Sequence, residues 1–391
     1  LSAPCRGRSD AMNGSGHLVH GMGTALETPV WPAITDAEAA RVVQHFPDAG
    51  GFQALQWHSP RPFSAAALVE CGAGRLFLKR HHPRLRSMAA LNEEHGFVRH
   101  LQAQGLSVPP MYRAHGGGTV LADGPWVYEL HGQGQGTDLY RDRLSWTGFL
   151  NDRHSFAAGA ALARLHHAAL GYDAPDRGPY PLVASAQILT AADPVLAADR
   201  YIYARPAVAA YLQGRNWRAS LTKIWAELGD GLYPAIAQQP RLWTHGDWHP
   251  SNLLWAADGT VSTVLDFGVA APSFALHDLA MALERSVIPW LGMDDGQLTE
   301  AADVDAAAAL LAGYHSIQPL STADIALVLR LLPLVHVEFA LSEVDYFAGI
   351  VRDAAAADLA WDGYALGHAH WFLSDQGQHF LRSLAEGTSA L

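Results

Sequence analysis

The sequence predicts an α+β protein in two lobes: a small antiparallel-sheet lobe with one main helix, followed by a larger, mostly helical lobe. Short strand-like runs joined by tight turns dominate residues 29–131. A glycine-rich link, His131-Gly132-Gln133-Gly134-Gln135-Gly136, then breaks the periodicity. Beyond it, residues 132–391 carry mostly helical spacing of apolar positions, and no internal repeat of fixed period is present.

Taken in order, residues 1–28 lack apolar periodicity and read as a flexible tail or an expression-vector remnant. Thr35 followed by Glu38 three residues later marks a capped helix start, with the side chains of both residues serving the cap. Three strand-like runs follow, Phe52 to Trp57, Ala65 to Glu70 and Arg75 to Lys79, the last two joined by Gly72-Ala73-Gly74 as a hairpin. In MAALNEEHGFVRHLQAQG, Met88, Leu91, Phe97, Val98 and Leu101 recur at roughly helical spacing, and Gly105 sits where a C-terminal cap belongs. Strand material returns near Val120 to Leu121 and Trp126 to Leu130. After the link, helices are expected over Ser155 to Leu170, Val208 to Gln213, Trp217 to Leu232 and repeatedly beyond Val304. The exception is Arg241 to Phe267, where two strand-like runs flank polar loops.

Composition narrows the function. At about 150 residues per domain, 391 residues make two to three domains or two lobes, and 49% hydrophobic residues supply a sizeable core. The charge sum is −12 with no run of Lys and Arg, which argues against free nucleic acid and anionic membrane surfaces as partners. Two cysteines, Cys5 and Cys71, cannot form a disulfide framework and suit a cytoplasmic setting. The longest apolar stretch, Ile325 to Leu341, is broken by Arg330, Pro333, His336 and Glu338 and reads as packed helices. The histidine pairs His81-His82 and His166-His167 do not share a helix face, and no Cys or His cluster stands at zinc-ligand spacing.

The densest polar cluster is Leu242-Trp243-Thr244-His245-Gly246-Asp247-Trp248-His249-Pro250-Ser251-Asn252-Leu253-Leu254, followed by an apolar run ending in Asp266-Phe267-Gly268. Phosphoryl transfer needs a carboxylate to orient the acceptor hydroxyl, and oxygen ligands for Mg²⁺. Asp247, Asn252 and Asp266 occur in that order. Upstream, Lys79 ends an apolar strand, where it can reach phosphates, and Glu94 lies on the following helix as its partner. Glu93 points about 100° away around the helix.

These residues resemble the aminoglycoside phosphotransferase/choline kinase-like group, whose fold is protein-kinase-like. The matching pieces are FLKR (77–80), NEEHGFVRHLQAQGLSVP (92–109), ALARLHHAAL (161–170), LWTHGDWHPSNLLW (242–255), VLDFG (264–268) and LHDLAMALE (276–284), within residues 52–286. The resemblance implies Asp247 as catalytic base, Asn252 and Asp266 as Mg²⁺ ligands, and Lys79 with Glu94 as the phosphate-holding pair. It implies ATP as donor, with GTP left open, and adenine bound to backbone near Glu129 to His131. His245 and Asp278 read as structural support for the loop.

Only nine residues separate Gly268 from Asp278, too few for a peptide-docking segment, which favours a small-molecule hydroxyl acceptor. An aminoglycoside, an amino alcohol, a homoserine-like amino acid or a sugar would each serve, and Glu284, His336 and Glu338 are candidate acceptor contacts. The loop His58-Ser59-Pro60-Arg61-Pro62-Phe63-Ser64 lacks the expected glycines, leaving Ser59, Ser64 or Arg61 to meet the phosphates. Two alternatives remain at this stage: a protein Ser/Thr kinase of the stress-response type, suggested by FLKRHHPRLRS, and a nucleotide-binding pseudokinase. A monomer or a homodimer fits equally.

Overall fold

The computed structural model describes residues 17–294, 296–389 and 391. A short hairpin, β1 (Val19–His20) and β2 (Leu26–Glu27), precedes helix α1 (Asp36–Val43). The small lobe then holds β3 (Phe52–His58), β4 (Ala65–Cys71), β5 (Gly74–His81), α2 (Met88–Ala103), β6 (Val120–Asp123) and β7 (Trp126–Gly132). These five strands form one antiparallel sheet in the order β3-β4-β5-β7-β6. The large lobe contributes α3 (Asp152–Ala169), α4 (Pro194–Tyr203), α5 (Pro206–Tyr211), α6 (Trp217–Leu228) and α7 (Tyr233–Ile236). Two small antiparallel pairs follow, β8 (Leu242–Thr244) with β11 (Ala271–Ser273), and β9 (Leu253–Trp255) with β10 (Val261–Val264). Then come α8 (Ala275–Val287), α9 (Val304–His315), α10 (Thr322–Leu331) and α11 (Val335–Val344). The chain continues through π-helical turns at Asp345–Val351 and Leu359–His368 to a last helix over Asp375–Gly387. The expected architecture is present: a small sheet lobe, then helices.

Each lobe has its own core. Val42, Val43 and Phe46 from α1 and its exit pack on Ala67, Val69, Leu76, Leu78, Tyr128 and Leu130 of the sheet. Phe97, Val98 and Leu101 of α2 belong instead to the large core, where Phe97 meets Trp243 and Phe267. Helix α2 therefore ties the two lobes together. The apolar run Thr322–Val351 is long enough to cross a membrane, yet 83% of its most apolar window is buried inside the fold. Helices α3 and α9 cross at two glycines. A Cβ on Gly159 would meet the Leu310 carbonyl oxygen, and one on Gly313 the Phe156 carbonyl oxygen, each at 1.9 Å.

Two local expectations need correction. Residues 1–16 of the expected tail lie outside the described residues, but from His17 onward the chain is held. Val19 is buried, the His20 N–H donates to the Pro60 carbonyl, and the Tyr364 hydroxyl donates to the Met22 carbonyl at 2.6 Å. Thr35 does cap α1, accepting from the Glu38 N–H at 3.2 Å. The Glu38 side chain does not complete a reciprocal cap, because Arg80 and Tyr128 of the sheet offer it charged and phenolic donors.

Candidate active site

The cleft between the lobes gathers the polar residues singled out in the sequence. Lys79, Glu94, Glu129, Ser64, Asp247, Asn252 and Asp266 all line it. The loop that carries Asp247 leaves β8 through His245 and Gly246. Gly246 has φ +73°, and a Cβ there would lie 2.5 Å from the Ala184 methyl, so glycine is required. Buried Asp278, in the first turn of α8, fixes this turn: its carboxylate accepts the His245 N–H at 2.9 Å and the Gly246 N–H at 2.8 Å. His166 donates to the same carboxylate at 3.0 Å. The His245 ring bridges to the Leu265 carbonyl at 2.8 Å and accepts the Asp247 N–H at 3.2 Å. Both residues contact the loop from behind.

Asp247 is held from three sides. The Asn252 amide donates to its carbonyl at 2.9 Å and to its Oδ2 at 3.2 Å. Trp146 donates its indole N–H to Oδ1 at 3.3 Å, and Arg285 makes an ion pair with the same oxygen. Burial alone would raise the Asp247 pKa, but Arg285, then His249 and His245, hold it far below the ordinary carboxylate range. Asp266 stands on backbone with φ +55°, a conformation non-glycine residues seldom adopt. Trp146 and Leu182 share that feature, and all three line the cleft. Strained backbone of this kind concentrates at functional sites. Arg86 holds the strain in place by donating to the Pro181, Leu182 and Gly268 carbonyls at 2.7–2.8 Å.

The expected Lys79–Glu94 ion pair is not formed. Lys79 Nζ lies 3.7 Å from Asp266 Oδ1. Burial opposes its charge, but Asp266, Glu129 and Glu94 together raise its pKa above the usual value. Glu94 thus acts on Lys79 through the field and keeps a buried, unpartnered carboxylate oxygen on the cleft side. Glu93 faces away, accepting from Tyr180 at 3.1 Å and lying 3.4 Å from Arg177. In the phosphate loop, Ser64 and Arg61 line the cleft, whereas Ser59 turns away and accepts the Arg61 N–H at 3.3 Å. Arg61 is drawn inward by Asp138, Asp266 and Asp247, against the effect of burial, which lowers its pKa.

The expected backbone edge for adenine is also displaced. At Glu129 to His131, β7 is flanked by β5 on one side and by β6 and Met111 on the other. The Gly132 N–H is used as well, by the Pro110 carbonyl. The chain leaves the sheet only at 133–136. The Glu129 side chain instead accepts from His81, His95 and His131 at 2.7–2.9 Å, which outweighs burial and lowers its pKa well below the ordinary value.

Of the candidate acceptor contacts, Glu338 turns to another task. It accepts from the Ser185 hydroxyl and from the Ile188 N–H at 2.7 Å, closing the turn beside α11. Glu284 and His336 are buried one layer behind the cleft wall, 3.4 Å apart. The wall itself is made by Trp146, Leu291, Phe339, Glu343, Tyr364 and the hairpin residues His20 to Gly23.

The phosphotransferase enzyme family model matches residues 63–321. The chain belongs to that family. A homoserine kinase of Gluconacetobacter diazotrophicus is 31% identical over 236 residues, covering 59% of this chain and 61% of that protein. One of Gluconobacter oxydans is 30% identical over 125 residues, covering 32% of this chain and 37% of that protein. The match therefore spans less than two thirds of either relative's length. An aminopropanol kinase shares the fold with a TM-score of 0.59 at 18% identity, covering 88% of this chain and all of that one. An amicoumacin kinase solved with AMP-PNP and Ca²⁺ has a TM-score of 0.54 at 16% identity, covering 89% of this chain and 92% of that one. The chain thus has the protein-kinase-like fold.

Within the phosphotransferase frame, sequence reasoning missed Arg285, Arg86, Trp146 and Glu343. Arg285 stands seven residues after Asp278, and Glu343 seven after His336. Each pair shares one face of its helix, a spacing legible in principle.

Proposed function

We propose that the chain transfers the γ-phosphoryl group of ATP, with Mg²⁺, to a hydroxyl of a small molecule. The observation that carries this reading is one cleft holding the Asp247 carboxylate, the Asn252 amide, and the Asp266 carboxylate beside Lys79. Asp247 orients the acceptor hydroxyl and takes its proton as the oxygen attacks phosphorus. The bond to the ADP oxygen breaks in the same in-line displacement. Lys79 and Arg61 supply positive charge where the phosphates would lie. Asn252 and Asp266 offer an all-oxygen donor pair that fits a hard cation, and Mg²⁺ held there would offset phosphate charge. Asn252 turns its amide nitrogen to Asp247, which leaves its oxygen for that task.

The short passage from Gly268 through β11 into α8 supports a small acceptor over a peptide. The homoserine kinase relatives support a small hydroxy compound as acceptor. A cytoplasmic setting belongs to the same proposal. ADP release with ATP or GTP and Mg²⁺, over L-homoserine, amino alcohols, aminoglycosides and hexoses, tests it. Stimulation by one class is expected, and Asp247→Asn should lower turnover by about 10³-fold or more. Failure to bind any nucleotide would sink the reading.

A further inference from the structure

Behind the cleft wall, three elements bring four titratable side chains together. Glu284 comes from α8, His336 and Glu343 from α11, and His368 from the end of the π-helical turn Leu359–His368. Each is at most 2% exposed. No sequence spacing announces the group, because tertiary packing alone unites residues so far apart along the chain. Glu284 Oε1 lies 2.9 Å from His368 Nδ1 and 3.4 Å from His336 Nδ1, and Glu343 Oε2 lies 3.6 Å from His336 Nε2. Among the described residues, Glu284 Oε2, both Glu343 oxygens, both His336 nitrogens and His368 Nε2 have no hydrogen-bond partner.

Two buried carboxylates need two positive charges beside them. Neighbouring Arg285 is paired with Asp247. One imidazolium leaves a carboxylate uncompensated, and two would repel, their ring centres being 4.6 Å apart. A divalent cation balances both carboxylates and leaves both imidazoles neutral, the form that ligates. The geometry agrees. Metal–nitrogen and metal–oxygen bonds of about 2.0–2.2 Å set neighbouring ligand atoms about 2.9–3.5 Å apart. Both separations from Glu284 to a histidine fall in that range, and each of the three residues brings a ligand atom within 4.8 Å of the other two. With Nδ1 on the metal, His336 keeps its proton on Nε2, where it faces Glu343, an outer carboxylate of the kind that orients ligating imidazoles. Trp290 stacks on His368 at 3.8 Å, and its indole N–H donates to the Glu284 carbonyl at 2.9 Å, which fixes both ligands.

We propose that Glu284, His336 and His368 bind one divalent d-block ion, zinc fitting best, with Glu343 supporting His336. Two imidazoles and a carboxylate select such an ion over Mg²⁺ or Ca²⁺, which take oxygen ligands. None of the three ligands lines the cleft, so the site is closed and structural. It staples α8, α11 and the turn at Leu359–His368 directly behind Arg285, the partner of Asp247. The proposal stands independently of the phosphotransferase reading.

Metal analysis of the full chain, purified without a polyhistidine tag and dialysed against metal-free buffer, tests it. About one equivalent of zinc per chain should remain, or be taken up on addition. Stripping it with a chelator should lower the midpoint of thermal unfolding by about 5–10 °C, and zinc should restore it. His368→Gln should lose the ion, whereas His95→Gln should keep it. The second variant is the control because His95, Glu129 and His131 also stand close enough to ligate. Zinc kept in His368→Gln but lost in His95→Gln would overturn the proposal. So would a wild-type chain that takes up no zinc, or whose unfolding ignores the chelator, and these two readouts hold even where His368→Gln does not fold.

Discussion

Arg285 decides how Asp247 works. A carboxylate acting as a free base would be tuned toward neutral pH, yet this one is paired with a buried guanidinium that is also packed on Trp146 and Phe339. The ion pair keeps Asp247 ionised and aimed, so in the proposed transfer its part would be orientation first and proton acceptance late. Replacing Arg285 by Met should therefore raise the Asp247 pKa. The acid limb of the kcat/KM–pH profile would then move to higher pH, with turnover down by about 10- to 100-fold. A profile that keeps its acid limb would mean that Arg285 only packs. The His245-to-Asn252 block was legible because its polar residues stand close together between apolar runs. Arg285 was passed over despite its spacing from Asp278, since one arginine after Glu284 in an apolar helix has the pattern of an exposed position. The Lys79–Glu94 pair was misread for a different reason. Spacing along a strand and a helix placed both residues in the cleft, but the left-handed backbone of Asp266 brings its carboxylate to Lys79 instead.

Elements carry the geometry through close approach. Helices α3 and α9 meet where Gly159 and Gly313 face each other's backbone, which lets His166 of α3 donate to Asp278 and accept from the Tyr314 hydroxyl of α9. Gly159→Ala or Gly313→Ala would force the helices apart. We expect a loss of about 1–3 kcal/mol or more in urea unfolding, with a larger fall in activity than a surface Gly→Ala produces, because Asp278 loses its partner. Unchanged stability would show that the crossing can relax. Helix α2, strands β4 and β5, and the link after β7 were readable from periodicity and glycine placement. The hairpin at Val19–Glu27 was not: two-residue strands have no period, and what holds them is Pro60 and Tyr364, far along the chain.

At the scale of the whole molecule, the buried group around His336 makes the stability of the metal-free chain depend on pH. His336 has a folded pKa raised to about 9 against 6.5 unfolded, so its contribution is complete below pH 6.5 and is lost as pH climbs through 9. The elements packed on it present Glu284, Glu343, His368, Trp146, Phe339 and Tyr364. His368 and His277 are held neutral by burial, with pKa values near 4, and work in the opposite sense, costing stability as pH falls from 6.5 toward 4. Thermal unfolding should therefore peak near pH 6.5. His336→Gln should flatten the alkaline side alone, removing a pH-dependent contribution of roughly 3 kcal/mol. An alkaline limb that persists in that variant would place the dependence elsewhere.

Much of the cleft wall comes from the two margins of the chain, with Trp146 and Leu291 contributed from between them. Residues 20–23 close it from one side and Phe339, Glu343 and Tyr364 from the other, while the family match runs from 63 to 321. In the proposed transfer, the phosphate-handling residues lie inside the matched stretch, and much of the wall that would meet the acceptor lies outside it. A lineage could trade one alcohol for another by rewriting its two margins, and a laboratory could do the same by transplanting both together. Exchanging only one would leave Met22 and Tyr364 without each other.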